Sequence, residues 1–180
     1  KNSMYQIQAD SRGVLKHIWY GRRTGRDMSY LLDYHDVGFS GNTYDAGEDR
    51  TYSLDTMPLE YAAEGIGDFR VAAVAVTHGN GGNALDLRYE SHRVYRGKEG
   101  IPGLPYVYAG DADVETLEIV LKDTAGEVRV ALRYGVFEEL DVVTRSAVIE
   151  NCGPGPKMLT KAHTVCIDMP WGDWEWVHFH

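Results

Sequence analysis

With 180 residues, 43% of them hydrophobic and 25% charged, the chain has globular composition and the length of one ordinary domain, which excludes a disordered polypeptide. Its 27 acidic against 18 basic side chains give a formal net charge of -9, and no basic run exceeds Arg22-Arg23, so the concentrated positive face that nucleic acid requires is excluded. No stretch reaches the roughly 20 apolar residues that span a bilayer, and Lys1-Asn2-Ser3-Met4 opens no signal-peptide core, so a soluble, cytoplasmic chain without a membrane partner is expected.

In chain order, the runs "MYQIQAD" (4–10) and "VLKHIWYG" (14–21), separated by Ser11-Arg12-Gly13, read as a first β-hairpin. Residues 31–70, punctuated by Gly, Asp, Asn and Pro, then interrupt the strand series. Within them "YHDVGFSGNTYDAGEDRTYSLDT" (34–56) is too long and too polar for a hairpin turn, and loops of that length in compact domains are functional or disordered. "HGNGGN" (78–83) could be misread as a phosphate loop, but "ALDLRY" after it alternates as a strand does, so it is expected to be a flexible hairpin connection.

From there period-two alternation dominates, in "ALDLRYESHRVYRG", "VETLEIVLKD", "EVRVALRYGVF", "LDVVTRSAVIEN" and "MLTKAHTVCID". In the second of these, Val114, Leu117, Ile119 and Leu121 interleave with Glu115, Glu118, Val120 and Lys122 if the phase changes near Thr116. Asp123-Thr124-Ala125-Gly126 suits a tight antiparallel hairpin, and "NCGPGP" (151–156) is expected to close another strand pair. The chain holds no amphipathic helix pattern and no internal repeat. Antiparallel strands that each bury one face pack as two layers, so the fold class is all-β, an antiparallel β-sandwich carrying a long loop. The missing initiator Met and the abrupt stop on the alternating "DWEWVHFH" suggest a fragment of a longer chain, incomplete at both ends.

Candidate chemistry is sparse. His17, His35, His78, His92 and His163 lie at no ligand spacing, and only His178 and His180 form an H-x-H, so no metal is expected. A nucleophile elbow, a phosphate-cradling P-loop and a recognisable Cys-His pair are all absent. Cys152 and Cys166 read as reduced thiols rather than as a disulfide framework, and the absence of an Asn-x-Ser/Thr sequon agrees with an intracellular chain. Trp171, Trp174 and Trp176 with Phe179 could stack sugar rings or, with Trp174 and Trp176 on one strand face, fill the core. Asp33, Asp36, Asp45, Glu48, Asp49 and Asp55 crowd the loop, but composition identifies no glycosidase carboxyl pair among them, and most read as solvated turn residues.

Five strings, "DRTYSLDTMPLEYAAEGIGDFR" (49–70), "LRYESHRVYRGKEGIPGLP" (87–105), "ETLEIVLKD" (115–123), "DVVTRSAVIEN" (141–151) and "DWEWVHF" (173–179), together resemble the amino-terminal β-supersandwich domain of the α-galactosidases of glycoside hydrolase family 36. The resemblance implies a following (β/α)8 barrel that carries two catalytic aspartates, in a K-W-D string and a glycine-rich string ending R-F-D. Neither string occurs in this chain, so no catalytic residue is expected within it.

The implied activity is retaining hydrolysis of terminal α-1,6-linked galactose from melibiose, raffinose and related oligosaccharides, without a cofactor. The resemblance further implies a homo-oligomer, a tetramer, in which the 34–56 loop of one subunit reaches a neighbour's active site. Matching "DVGFS" and "EDRTYSLDT" to the family strings places an acid and an arginine that shape the galactose pocket on Asp36 and Arg50. Read from the residues alone, the same pair could be an ion pair that merely closes the loop, and the chain could instead be a stand-alone carbohydrate-binding sandwich or a structural interaction domain.

Overall fold

The structure, a computed structural model, describes residues 1–36, 46–167, 172–175 and 177–178. Its regular elements are strands β1 (Ser3–Ala9), β2 (Leu15–Arg22), β3 (Val74–Thr77), β4 (Leu87–Arg96), β5 (Glu115–Asp123), β6 (Val128–Phe137), β7 (Val142–Asn151) and β8 (Met158–Ala162). Single 3-10 turns cover Ser29–Leu31 and Glu138–Leu140, and the described residues contain no α-helix.

One layer is an antiparallel meander in the order β4-β5-β6-β7. Alternation along β6 dictates its orientation: Val128, Val130, Leu132 and Tyr134 are buried on one face, while Arg129, Ala131 and Arg133 point the other way and are partly covered. The second layer is built from two strand pairs, β1–β2 and β3–β8. The intervening chain stitches them together, for His17 N–H donates to the Pro58 carbonyl at 2.8 Å, Glu60 N–H to Leu15 at 3.0 Å, and Ala73 N–H to Ala62 at 2.8 Å. Leu15, Val74 and Val76 from this layer meet Leu87, Ile119, Leu121, Val130 and Leu132 of the meander in one core. Each such side chain contributes about 1.5–3 kcal/mol by leaving water, and the two buried faces make the expected sandwich.

One strand was not foreseen and three expectations change in detail. β3 was not separable by alternation, because Ala73, Val74, Ala75 and Val76 are all buried and a strand covered on both faces reads as a continuous apolar run. "NCGPGP" is a turn but not a hairpin: β7 pairs with β6 and β8 pairs with β3, so the segment carries the chain between layers. "HGNGGN" likewise links strands of different layers, closed by His78 N–H to Gly82 O at 2.8 Å and turned through Gly81 at φ +84°. The strand expected through "MLTKAHTVCID" ends at Ala162. The Asp123–Gly126 hairpin forms as expected, with Gly126 N–H donating to Asp123 O at 2.7 Å.

The irregularity expected near Thr116 lies instead on the partner strand. β5 pairs with β6 without interruption, whereas β4 carries a bulge between Tyr89, opposite Leu121, and Ser91, opposite Val120. Past it, Val94 and His92 face Leu117 and Ile119, and Arg93 faces Glu118. Glu118 is buried on the outer face because two guanidinium groups cover it, Arg93 Nε and Arg133 Nε each donating at 2.7 Å. The Arg93 hydrogen bond, against the cost of burial and with the help of Arg133, holds the Glu118 carboxyl below its ordinary range.

Candidate functional site

The long loop leaves and rejoins the sandwich beside the β1–β2 turn, and the turn residue Asp10 organises both. Its Oδ1 accepts the N–H groups of Arg12 at 2.9 Å and Val14 at 3.0 Å, which folds the turn, and Gly13 at φ +76° completes it. Its Oδ2 lies 2.8 Å from Lys16 Nζ and accepts the Tyr52 hydroxyl at 2.7 Å. Lys16, only 1% exposed, also donates to the Tyr34 hydroxyl at 2.8 Å. Burial opposes the charge on Asp10, but the hydrogen bonds from Lys16, Tyr52 and Val14 outweigh it and keep the carboxyl below the usual range. Burial and the bond to Asp10 push the Tyr52 hydroxyl upward. The Arg12 guanidinium lies 4.1 Å from the centre of the Tyr52 ring, a cation–π contact.

Beyond this anchor, Arg50 Nε lies 3.3 Å from Asp36 Oδ1, with 62% and 54% of the two side chains exposed. The two residues singled out by resemblance are therefore brought together, at the surface, as an ion pair. Asp49 caps its own turn, accepting Thr51 N–H at 3.0 Å and the Thr51 hydroxyl at 2.6 Å. Asp33 lies 3.3 Å from His35, and Asp55 accepts the Phe69 N–H at 3.0 Å, so these acids serve the loop's own geometry. Asp45 lies outside the described residues.

A second polar cluster is buried between the layers. Glu60, fully buried, accepts the Tyr134 hydroxyl at 2.7 Å and the Tyr5 hydroxyl at 2.8 Å, lies 2.9 Å from Arg145 Nη1, and stands 3.2 Å from His17 Nδ1. Burial, and then the nearby Glu60 charge, raise the Tyr5 and Tyr134 hydroxyls well above their ordinary value. Beside it a cleft of about 560 Å³, lined by Ile7, Tyr89, His92, Leu117 and Val143, is mainly apolar. Sequence reasoning missed both clusters. Their trace is a charged residue inside an apolar run, Lys16 in "VLKHIWYG" and Glu60 in "PLEYAA".

The aromatic end of the chain does not fill the core where it is described. Trp174 is 64% exposed and lies in no strand, which corrects the core-packing reading for that residue; Trp171, Trp176 and Phe179 lie outside the described residues, as does His180. Cys152 and Cys166 are not bonded to each other. Among the described residues no group of three His, Cys, Asp or Glu side chains is placed to hold a metal ion.

A family model described as the glycosyl hydrolase family 36 N-terminal domain matches residues 13–180. The chain belongs to that family. It is 44% identical, over 99% of its length, to the bifunctional alpha-galactosidase/sucrose kinase AgaSK of Mediterraneibacter gnavus, of which it covers 19%. It is 40% identical, over 97% of its length, to alpha-galactosidase AgaA of Geobacillus stearothermophilus, of which it covers 24%. The galactosidase domain of AgaSK superposes with a TM-score of 0.89, at 46% identity over 92% of this chain and 23% of that one. AgaA in complex with raffinose gives a TM-score of 0.88, at 38% identity over 94% of this chain and 24% of that one. This family 36 chain thus spans about a fifth to a quarter of the relatives it matches.

Proposed function

We propose that this family 36 domain is the amino-terminal part of an α-galactosidase that releases terminal α-1,6-linked galactose from melibiose and raffinose-type oligosaccharides with retention. The reacting carboxyls belong to a (β/α)8 barrel further along the polypeptide, and the β-sandwich supplies contacts within a homo-oligomer, a tetramer, in the cytoplasm. Through Asp36 and Arg50 the 34–56 loop lines the galactose pocket of a neighbouring subunit.

The observation that carries this reading is the match of residues 13–180 to the family 36 N-terminal domain; the loop's part in it rests on Asp36 and Arg50, which stand together at the surface 3.3 Å apart, as a pair that only closes the loop would also stand. An exposed ion pair is worth about 0–1 kcal/mol, so breaking the contact between these two side chains costs little. The carboxylate would then accept bonds from sugar hydroxyls while the guanidinium donates several in one plane. In the complete polypeptide, Arg50→Ala is expected to lower kcat/KM for raffinose at least tenfold; kinetics equal to the parent's would remove Arg50 from the pocket.

A second reading rests on the exposed Trp174, which suits a stand-alone carbohydrate-binding sandwich. Titration of the 180-residue chain with raffinose separates the two, because a binding module saturates alone and a pocket-completing domain does not.

A further inference from the structure

We propose that the buried Lys16–Asp10 ion pair is a clamp that fixes both stems of the 34–56 loop, making Lys16, Asp10, Tyr34 and Tyr52 positioning residues for Asp36 and Arg50. The functional half of this inference rests on the pocket-lining reading above, while its structural half does not.

A lysine at 1% exposure is costly in a position where a leucine or methionine would pack without desolvation. Buried ion pairs seldom add stability over apolar residues of the same shape, and their best attested use is to select one arrangement among several. Here the arrangement selected is that of the loop. Tyr34, on the outgoing stem, receives a hydrogen bond from Lys16 Nζ at 2.8 Å, and Tyr52, on the returning stem, donates to Asp10 Oδ2 at 2.7 Å. Lys16 Nζ also lies 5.0 Å and 5.4 Å from the centres of those two rings. The other oxygen of Asp10 is committed to the backbone of the β1–β2 turn, so the carboxylate cannot rotate away from the loop without unfolding that turn.

The spacing is symmetric: Asp36 follows the clamped Tyr34 by two residues, and Arg50 precedes the clamped Tyr52 by two. Two residues span at most about 7 Å, so the Cα of each residue proposed to meet the sugar is held within that distance of its anchor's Cα. Tyr34 is nearly half exposed, so its hydroxyl contact is not a by-product of core packing. A positioned group loses rate steeply when it is displaced by an ångström, and the anchors limit that displacement.

The test uses the complete polypeptide with Tyr34→Phe, Tyr52→Phe and Lys16→Met. The two Phe variants delete one oxygen each and keep the fold accessible should Lys16→Met fail to fold. Native-state hydrogen exchange is expected to quicken about tenfold or more at the Leu32, Asp49, Thr51 and Tyr52 amides, with β4 to β7 unaffected, because a hydrogen bond to a charged group is lost. Activity on raffinose is expected to fall about three- to tenfold in kcat/KM, mainly through KM, and for Tyr52→Phe, whose stem carries Arg50, that loss should vanish in an Arg50→Ala background. Unchanged exchange at those amides overturns the clamp whatever the activity. Quickened exchange with an equal activity loss in both backgrounds overturns its action through Arg50. If Arg50→Ala alone leaves kcat/KM unchanged, the pocket-lining reading fails, and quickened exchange still establishes the clamp.

Discussion

Replacing Glu60 by Gln tests whether the charge of the inter-layer cluster, rather than its hydrogen bonds, holds the two sheets together. The substitution keeps the shape and one acceptor oxygen, but it removes the negative charge 2.9 Å from Arg145 Nη1. With Glu60 at 0% and Arg145 at 10% side-chain exposure, water cannot take over as counter-charge, so the full cost of an uncompensated buried charge applies, about 3–5 kcal/mol. Tyr134→Phe supplies the comparison, since it leaves both charges and removes one hydroxyl donor at 2.7 Å, for about 1.5–3 kcal/mol. With a urea slope of about 2 kcal/mol per M, the unfolding midpoint of the chain should drop by about 1.5–2.5 M for Glu60→Gln and about 1 M for Tyr134→Phe. Urea titration followed by tryptophan fluorescence and by far-ultraviolet circular dichroism measures both. A Glu60→Gln midpoint no lower than that of Tyr134→Phe would refute the electrostatic account and leave only hydrogen bonding.

Two further outcomes are expected. The Tyr134 hydroxyl is raised above its ordinary 10.0, so the folded state keeps a proton that the unfolded chain gives up. Its contribution to stability is therefore complete below about pH 10 and is lost above it, at about 1.4 kcal/mol per pH unit, and the gap between parent and Tyr134→Phe in urea midpoint should narrow between pH 9 and pH 11. Gly65 sits at φ +101°, and an added Cβ would lie 2.7 Å from the Ala84 Cα, a backbone atom that cannot step aside. Gly65→Ala should cost about 2 kcal/mol or more, read as a lowered thermal midpoint, and an unchanged midpoint would show that the 65 and 84 segments separate freely.

What the sequence disclosed follows from where burial is one-sided. The meander was legible because its strands cover one face with Val, Leu and Ile and leave the other polar. β3 was not, since Ala73 to Val76 are covered on both sides and lose the period. Glu118 read as a solvent position although it is buried, because Arg93 and Arg133 arrive over it from neighbouring strands. Turns were recognised by their glycines, but not their partners, since "NCGPGP" does not reveal that the next strand joins the other layer. As for the site, Asp36 and Arg50 came from family resemblance, not from spacing. The anchor beneath them was invisible because Asp10, Lys16, Tyr34 and Tyr52 converge only in three dimensions.

The bulge in β4 has a consequence for how this strand can change. Because Glu90 is an uncounted step between Tyr89 and Ser91, the odd-numbered Leu87 and Tyr89 take the core side before it, and the even-numbered His92 and Val94, both exposed, stand opposite Ile119 and Leu117 after it. Losing a single codon there would move Arg93 to the side that holds Ile119 and Leu117 and Val94 to the side that holds Glu118, stripping Glu118 of one of its two cations in the same stroke. Tolerance along this strand is therefore a matter of arithmetic before chemistry: many side chains can be exchanged, but the tally of residues between Leu87 and Arg96 cannot.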